Sequence, residues 1–339
     1  MSKYTIKNIK DSVYLLTVFY NDKVYYKIMK VSVQVEYYLD EYNNYCILLK
    51  NKLHNYNVEN FDTYYIYKNI NKTTEINFRF INTYIDTNLN INFTNYIKDI
   101  DNLQYIKKYY NNFNLYILVG DYFECNITFD KIIKKINNKK LIKYINYIFK
   151  NKLLATESTN FRHCDFKINN ILIKNNKEAS IFDLDFSVFV KDTEFIKIER
   201  DDYPVVNLYL NLGINKQISG NFLRLFDIYL FALSIIYQTN KYQIENIKNY
   251  LDDNINSYNY CSDFYIFYII YSNIILNLPN EFTTQIYYEF ATYNYILKIL
   301  NNYKKIIIDT NIIHNPNIIN GFNFIQDTIL TNILINKYL

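Results

Sequence analysis

The chain has 339 residues, half of them hydrophobic and 19% aromatic, with a formal net charge of +4. That is enough material for one large domain or two moderate ones with a substantial core, and it excludes a disordered chain. The basic residues are spread along the whole chain, so no nucleic-acid partner is called for, and no run approaches the roughly 18 uninterrupted apolar residues of a membrane span.

The first residues, "MSKYTIKNIKDSVYLL", are broken by charges before a signal-peptide core can form, which predicts a soluble, cytoplasmic protein. Cys46, Cys125, Cys164 and Cys261 are scattered and make no CxxC pair, so neither a zinc site nor a disulfide framework is expected. Lysine outnumbers arginine 33 to 4, glycine and alanine number four each, and tryptophan is missing. Residues with AT-rich codons are favoured throughout, as in the genome of a parasite, symbiont or large DNA virus. The asparagine tracts therefore carry little chemical information.

In chain order, "VYLLTVFY", the dipeptide "ND" and "KVYYKIMKV" predict a β-hairpin with a two-residue turn. A helix is expected over 35–53, "VEYYLDEYNNYCILLKNKL", from its apolar spacing. Further strands are expected at "TYYIYKN", "INFRFINTYID" and "LYILVGDYFE". After Glu124 the character changes. "FDKIIKKINNKKLIKYINYIFKNKLL", "NFLRLFDIYLFALSIIYQT" and much of 240–339 read as helix, separated by short strand-like arms at "NILI" and "ASIF". The expectation is an α+β protein with a small β-rich N-terminal lobe, 1–124, and a larger helical C-terminal lobe, 125–339, joined near 120–126.

Chemistry concentrates in two segments, "FRHCDFKINNILI" (161–173) and "IFDLDFS" (181–187). Carboxylates are expensive to bury unless paired or bound to metal, so aspartates inside apolar runs mark a site. "HCDFKINN" resembles the catalytic loop of the protein kinase superfamily, H-x-D-x-K-x-x-N, with His163, Asp165, Lys167 and Asn170 at the family's spacing. Asp183 follows Asn170 by thirteen residues, where kinases place the metal-binding Asp of D-F-G. "LFDIYLFALSII" is similar to the kinase αF helix, with Asp227 as its buried anchor. "DLDFS" also resembles the poxvirus late serine/threonine kinases, which fits the composition.

The resemblance implies a bilobal protein-kinase-like fold that uses ATP and Mg²⁺ to phosphorylate a protein substrate. Asp165 would accept the proton of the acceptor hydroxyl and Lys167 would reach the transferring phosphate. Asn170 and Asp183 would supply hard oxygen ligands to Mg²⁺. His163 would be structural, bonding backbone. The hinge that meets the adenine would run from Asp121 to Phe123. In the N-lobe Lys30 is favoured over Lys27 as the phosphate-binding lysine, with Glu41 as its helix partner and Glu36 as the alternative. Lys167 points to serine/threonine specificity.

The chain also departs from that family. Gly120 is the first glycine, so no glycine-rich phosphate loop exists, and "KNIKDS" would be a turn carrying bulky side chains. The A-P-E sequence is missing, with "DDYPVV" the nearest proline-containing piece. Two alternatives follow: a pseudokinase or scaffold, and a small-molecule phosphotransferase of the aminoglycoside or choline kinase type. Substrate, oligomeric state and regulator are not specified by these residues.

Overall fold

The computed structural model describes residues 3–10, 13–20, 22–32, 41, 43, 44, 47, 48, 63–67, 75–79, 88–92, 115–121, 127–174, 178–197, 217–301 and 315–338. The chain divides into two compact units, Met1–Asn126 with Asp183–Asp185, and Ile127–Phe182 with Phe186–Leu339.

In the first unit the hairpin is formed by β2 (Val13–Tyr20) and β3 (Lys23–Ser32), paired from Val13 opposite Lys30 to Tyr20 opposite Lys23. Asp22 has φ 58°, the left-handed conformation that a two-residue hairpin turn requires and aspartate tolerates. Tyr14 and Leu16 are buried while Val13, Leu15 and Thr17 are half-buried, the period-two pattern of a strand with one face on a core. The sheet continues to β1 (Lys3–Lys10) on one side, and to β7 (Leu115–Asp121) and β4 (Thr63–Tyr67) on the other, in the order β1-β2-β3-β7-β4. A separate ladder joins β5 (Glu75–Arg79) to β6 (Asn88–Asn92).

Lys7 to Lys10 are not a turn but the end of β1, paired with β2 through a bulge between Asn8 and Lys10. Thr5, Lys7 and Ile9 are exposed, and lysines along an edge strand discourage pairing with other chains. Within the segment expected to be helical, Glu41, Asn43, Asn44, Ile47 and Leu48 are helical. Glu41, Asn44 and Leu48 are buried, and their spacing of three and four places them on one helix face.

The second unit opens with β8 (Ile127–Thr128), α1 (Phe129–Ile132) and α2 (Asn138–Thr159). The continuous helix expected across this region is broken, because Asn137 caps α2: its side-chain oxygen accepts from Lys140 N–H at 2.9 Å. Helix α2 ends at Asn160, whose φ of 58° is the left-handed C-cap conformation. Next come β9 (Phe161–Arg162), a 3₁₀ turn (Ile168–Asn170), β10 (Ile171–Lys174), β11 (Glu178–Ile181), β12 (Val188–Phe189), β13 (Phe195–Lys197) and β14 (Gln217–Ser219). Strands β11, β10 and β8 form one small sheet, and β12–β9 and β13–β14 form two more.

Helices α3 (Gly220–Gln238), α4 (Lys241–Asn254), α5 (Ser262–Leu276), α6 (Thr284–Phe290), α7 (Tyr293–Asn301) and α8 (Pro316–Tyr338) complete the unit. Helix α3 is long and apolar enough to cross a membrane by length and composition, but 83% of that window is buried inside the molecule, the pattern of a core helix. Phe231 on α3 is the hub of an aromatic cluster, with Phe149 at 5.1 Å, Phe166 at 5.3 Å, Phe267 at 5.9 Å and Phe129 at 6.3 Å between ring centroids. The architecture is α+β and mainly helical, with small sheets.

Candidate active site

The 161–173 segment becomes a rigid loop because α3 supplies partners for its backbone. Asp227, wholly buried on α3, accepts from two successive amides, His163 N–H at 2.9 Å and Cys164 N–H at 2.8 Å. Cys164 adopts φ 63° to present its N–H, a conformation that is uncommon outside glycine, asparagine and aspartate. Lys152 from α2 lies 3.3 Å from the same carboxylate, also wholly buried. One turn later on the loop, Ser234 Oγ accepts from Ile168 N–H at 3.1 Å and donates to the Phe231 carbonyl at 2.8 Å. Phe166 and Ile168 are fully buried and seat the loop on the aromatic cluster.

The polar side chains of the loop converge on Asp165, which is 2% exposed. Its Oδ2 accepts from Lys167 Nζ at 2.6 Å and from Asn170 Nδ2 at 3.0 Å. Asn170 Nδ2 also donates to the Asp165 carbonyl at 3.0 Å, so its Oδ1 is the acceptor end of the amide. His163 Nδ1 accepts from Asp165 N–H at 3.3 Å and its Nε2–H donates to the Phe182 carbonyl at 3.0 Å. Phe182 N–H donates to the Asn170 carbonyl at 3.1 Å, tying the residue before Asp183 to the end of the 3₁₀ turn.

The first unit holds a second polar group. Lys30 Nζ lies 2.6 Å from Glu41 Oε1 and 2.9 Å from Asp183 Oδ1. Glu41 is 1% exposed, and Asn44, on the same helix face, donates to the Leu184 carbonyl at 2.7 Å. Asp183 has φ 67°. Left-handed non-glycine residues cost free energy and persist where surroundings over-determine them, often at functional positions.

Of the residues singled out in sequence, Asp165, Lys167 and Asn170 are brought together in the second unit, and Lys30, Glu41 and Asp183 in the first. Asp121 ends β7 with its backbone opposite Lys27, and Phe123, Glu36, Cys46, Cys125 and Pro204 lie outside the described residues. Three supporting groups were not anticipated. Lys152 is one. Asn44 is another. The third is Arg162, fully buried, which donates to the Gly220 carbonyl at 2.8 Å and pairs with Asp192. Burial lowers the Arg162 guanidinium, opposed by Asp192 and Asp227. Burial, then Asp227, pushes the Cys164 thiol well above its ordinary range, which excludes it as a thiolate nucleophile at neutral pH.

Among the described residues no group of three or more His, Cys, Asp or Glu is arranged to hold a metal ion by itself. No protein-family model matches the chain, and no curated protein matches it.

Proposed function

We propose that the chain is an ATP- and Mg²⁺-dependent phosphotransferase of the protein kinase type that phosphorylates serine or threonine hydroxyls. Its two units would be the small β-rich and larger helical lobes of a bilobal kinase-like fold, most like the poxvirus late kinases, working in a host cytoplasm or virion. The observation that carries this reading is the Asp165 carboxylate, buried and held by Lys167 and Asn170 on a loop pinned by Asp227. Phosphoryl transfer needs positioning and charge neutralisation more than covalent chemistry, and these groups supply both.

In this mechanism Asp165 orients the acceptor hydroxyl and takes its proton. Lys167, already within 2.6 Å of that carboxylate, offers a cation to the phosphate in flight. Lys30, fixed by Glu41, holds the nucleotide phosphates. Carboxylate and amide oxygens suit Mg²⁺, a hard cation that takes one or two protein oxygens and completes its shell with phosphate and water. Asp183 would provide a carboxylate oxygen and Asn170 an amide oxygen to such an ion, whose charge would offset that of the phosphates.

A pseudokinase is favoured by one observation, the lack of any glycine before Gly120, which leaves no glycine-rich loop to approach the phosphates. A small-molecule phosphotransferase is disfavoured by Lys167, a residue such enzymes usually lack. The deciding experiment incubates the purified chain with γ-labelled ATP, Mg²⁺ and protein or small-alcohol acceptors, with Asp165→Asn alongside. Label on protein from the wild type alone supports the kinase. Label on neither acceptor supports the pseudokinase.

A further inference from the structure

Helix α2 carries a charge pattern that the proposed chemistry does not use. From Lys131 to Thr156, eight of 26 residues are lysine and none is acidic, in a chain whose basic and acidic totals, 37 and 33, nearly balance. Lys139 and Lys140 sit in the first turn of α2, where positive charge opposes the helix dipole, so they do not serve helix stability. Lys139, Lys143 and Lys150 are exposed, and spacings of four and seven place them along one helix face.

That face borders a cleft of about 180 Å³ between the first half of α2 and the α4–α5 connection. Lys139, Lys143 and Asn146 line one side, and Tyr250, Tyr258 and Tyr260 the other; no carboxylate lines it. Asn146 accepts from Cys261 N–H with its Oδ1 at 3.3 Å, which leaves its NH₂ as the donor end of the amide. Burial raises Tyr250 and raises Tyr260 to about 12, so both phenols are neutral hydroxyl donors at physiological pH. Two ammonium groups, an amide NH₂ and phenol hydroxyls with no competing carboxylate make a donor-rich pocket.

Its size is below the roughly 300–1,000 Å³ of cofactor and drug pockets, so it suits one side chain rather than a whole nucleotide. Base stacking is a poor use of it. Tyr260 is already stacked on Phe264 at 4.0 Å, and Tyr258 meets Tyr260 at an interplanar angle of 54°, so the rings form no parallel platform. We infer that this cleft binds a phosphorylated side chain on an acidic peptide, the phosphate between Lys139 and Lys143 and the flanking acidic residues along the row that ends at Lys150. Lysine binds phosphate as a point charge, and a charged partner strengthens each hydrogen bond.

The inference does not depend on the proposed transfer activity and is tested without it. The purified full chain is titrated against a fluorescein-labelled nonapeptide with a central phosphoserine flanked by glutamates, read by polarisation. Its unphosphorylated twin and an oligothymidylate of similar length are run in parallel. The phosphopeptide should bind at least tenfold more tightly than its twin and than the oligonucleotide, and inorganic phosphate should compete. Lys139→Ala with Lys143→Ala, and separately Tyr258→Ala, should each weaken it tenfold or more. Lys131→Ala with Lys134→Ala should leave it within twofold. All these positions are exposed, and an unchanged thermal midpoint confirms folding. No binding, equal binding of the twin, tighter binding of the oligonucleotide, or indifference to the Lys139/Lys143 changes would each overturn the assignment.

Discussion

Lys152 Nζ lies 3.3 Å from Asp227 Oδ2 with both side chains wholly buried. The two partners are not equivalent. Asp227 also receives the His163 and Cys164 amides, whereas Lys152 has its ammonium on Asp227 and over the Phe166 ring at 5.5 Å. Asp227→Ala strands a buried cation and two backbone N–H groups, and should cost about 3–5 kcal/mol. Lys152→Met keeps both amide bonds and replaces the stem, so it should cost distinctly less. Urea midpoints of the two variants check this, and the reverse order would contradict it.

Asp165, Lys167 and Asn170 were legible because their spacing is short and the turn that joins them is local. Asp227 was legible through the resemblance of "LFDIYLFALSII" to the kinase αF helix. Lys152 was not, since it is one of eight lysines between Lys131 and Thr156 and only tertiary packing separates it from the exposed ones. Arg162 was hidden likewise, because its partner Asp192 is thirty residues away. The break at Asn137 was missed because asparagine is so frequent here that a cap looks like background. The extent of strand β1 was misjudged, with a turn expected from Lys7, because lysine and asparagine obscure the alternation in "KYTIKNIK".

Alkaline stability should fall in a defined window. Burial raises the Cys261 thiol from 9.0 to about 12. Below pH 9 the thiol is protonated in both states and its contribution is fully present. Above pH 9 the unfolded state loses the proton first and binds fewer protons than the native state, so stability declines as pH rises toward 12, by about 1.4 kcal/mol per pH unit. Cys164 and Tyr271, raised in the same sense, act in parallel. Cys261→Ser should flatten the slope of urea stability between pH 9 and 10; an unchanged slope would remove Cys261 as a cause.

The proposed transfer activity should survive phosphatase treatment. Many kinases place an arginine between the His and Asp of the catalytic loop to bind a phosphate on the activation segment, whereas here Cys164 is buried with its N–H on Asp227. The segment around Asp192 is instead held by Arg162, which carries its own partners. Rates before and after phosphatase should agree within about twofold. A collapse of activity would mean that another cation reads a phosphate.

The register of β7 gives a test of the adenine pocket. Gly120 is paired with Ile28 on β3, two residues before Lys30. In the proposed fold this glycine takes the place of a larger gatekeeper side chain and opens space behind the adenine. ATP analogues with bulky N6 substituents should bind about as well as ATP, and Gly120→Phe should reject them while keeping ATP. Equal binding of the analogues by both proteins would put the strand out of register with the nucleotide.

The roles proposed for Asp165, Asp183 and Lys30 should separate in their kinetics. Asp165→Asn keeps one acceptor oxygen for Lys167 and Asn170 but loses the charge proposed to take the hydroxyl proton. It should bind Mg²⁺·ATP nearly as well as the wild type and lower kcat by roughly 10² or more, the scale of a lost acid–base group. Asp183→Asn removes a full charge from the proposed metal site and weakens the ion pair with Lys30, so it should weaken Mg²⁺-dependent nucleotide binding and abolish transfer. Lys30→Met removes the 2.6 Å ion pair to the buried Glu41 carboxylate, so it should lower both nucleotide affinity and thermal stability. Asp183 is partly exposed, and its loss should leave the thermal midpoint nearly unchanged. Isothermal titration with and without Mg²⁺, steady-state transfer rates and melting curves distinguish the three. A wild type that transfers phosphate while Asp165→Asn keeps full activity would sink the assignment of the acceptor-positioning carboxylate, because no other change leaves the loop so nearly intact.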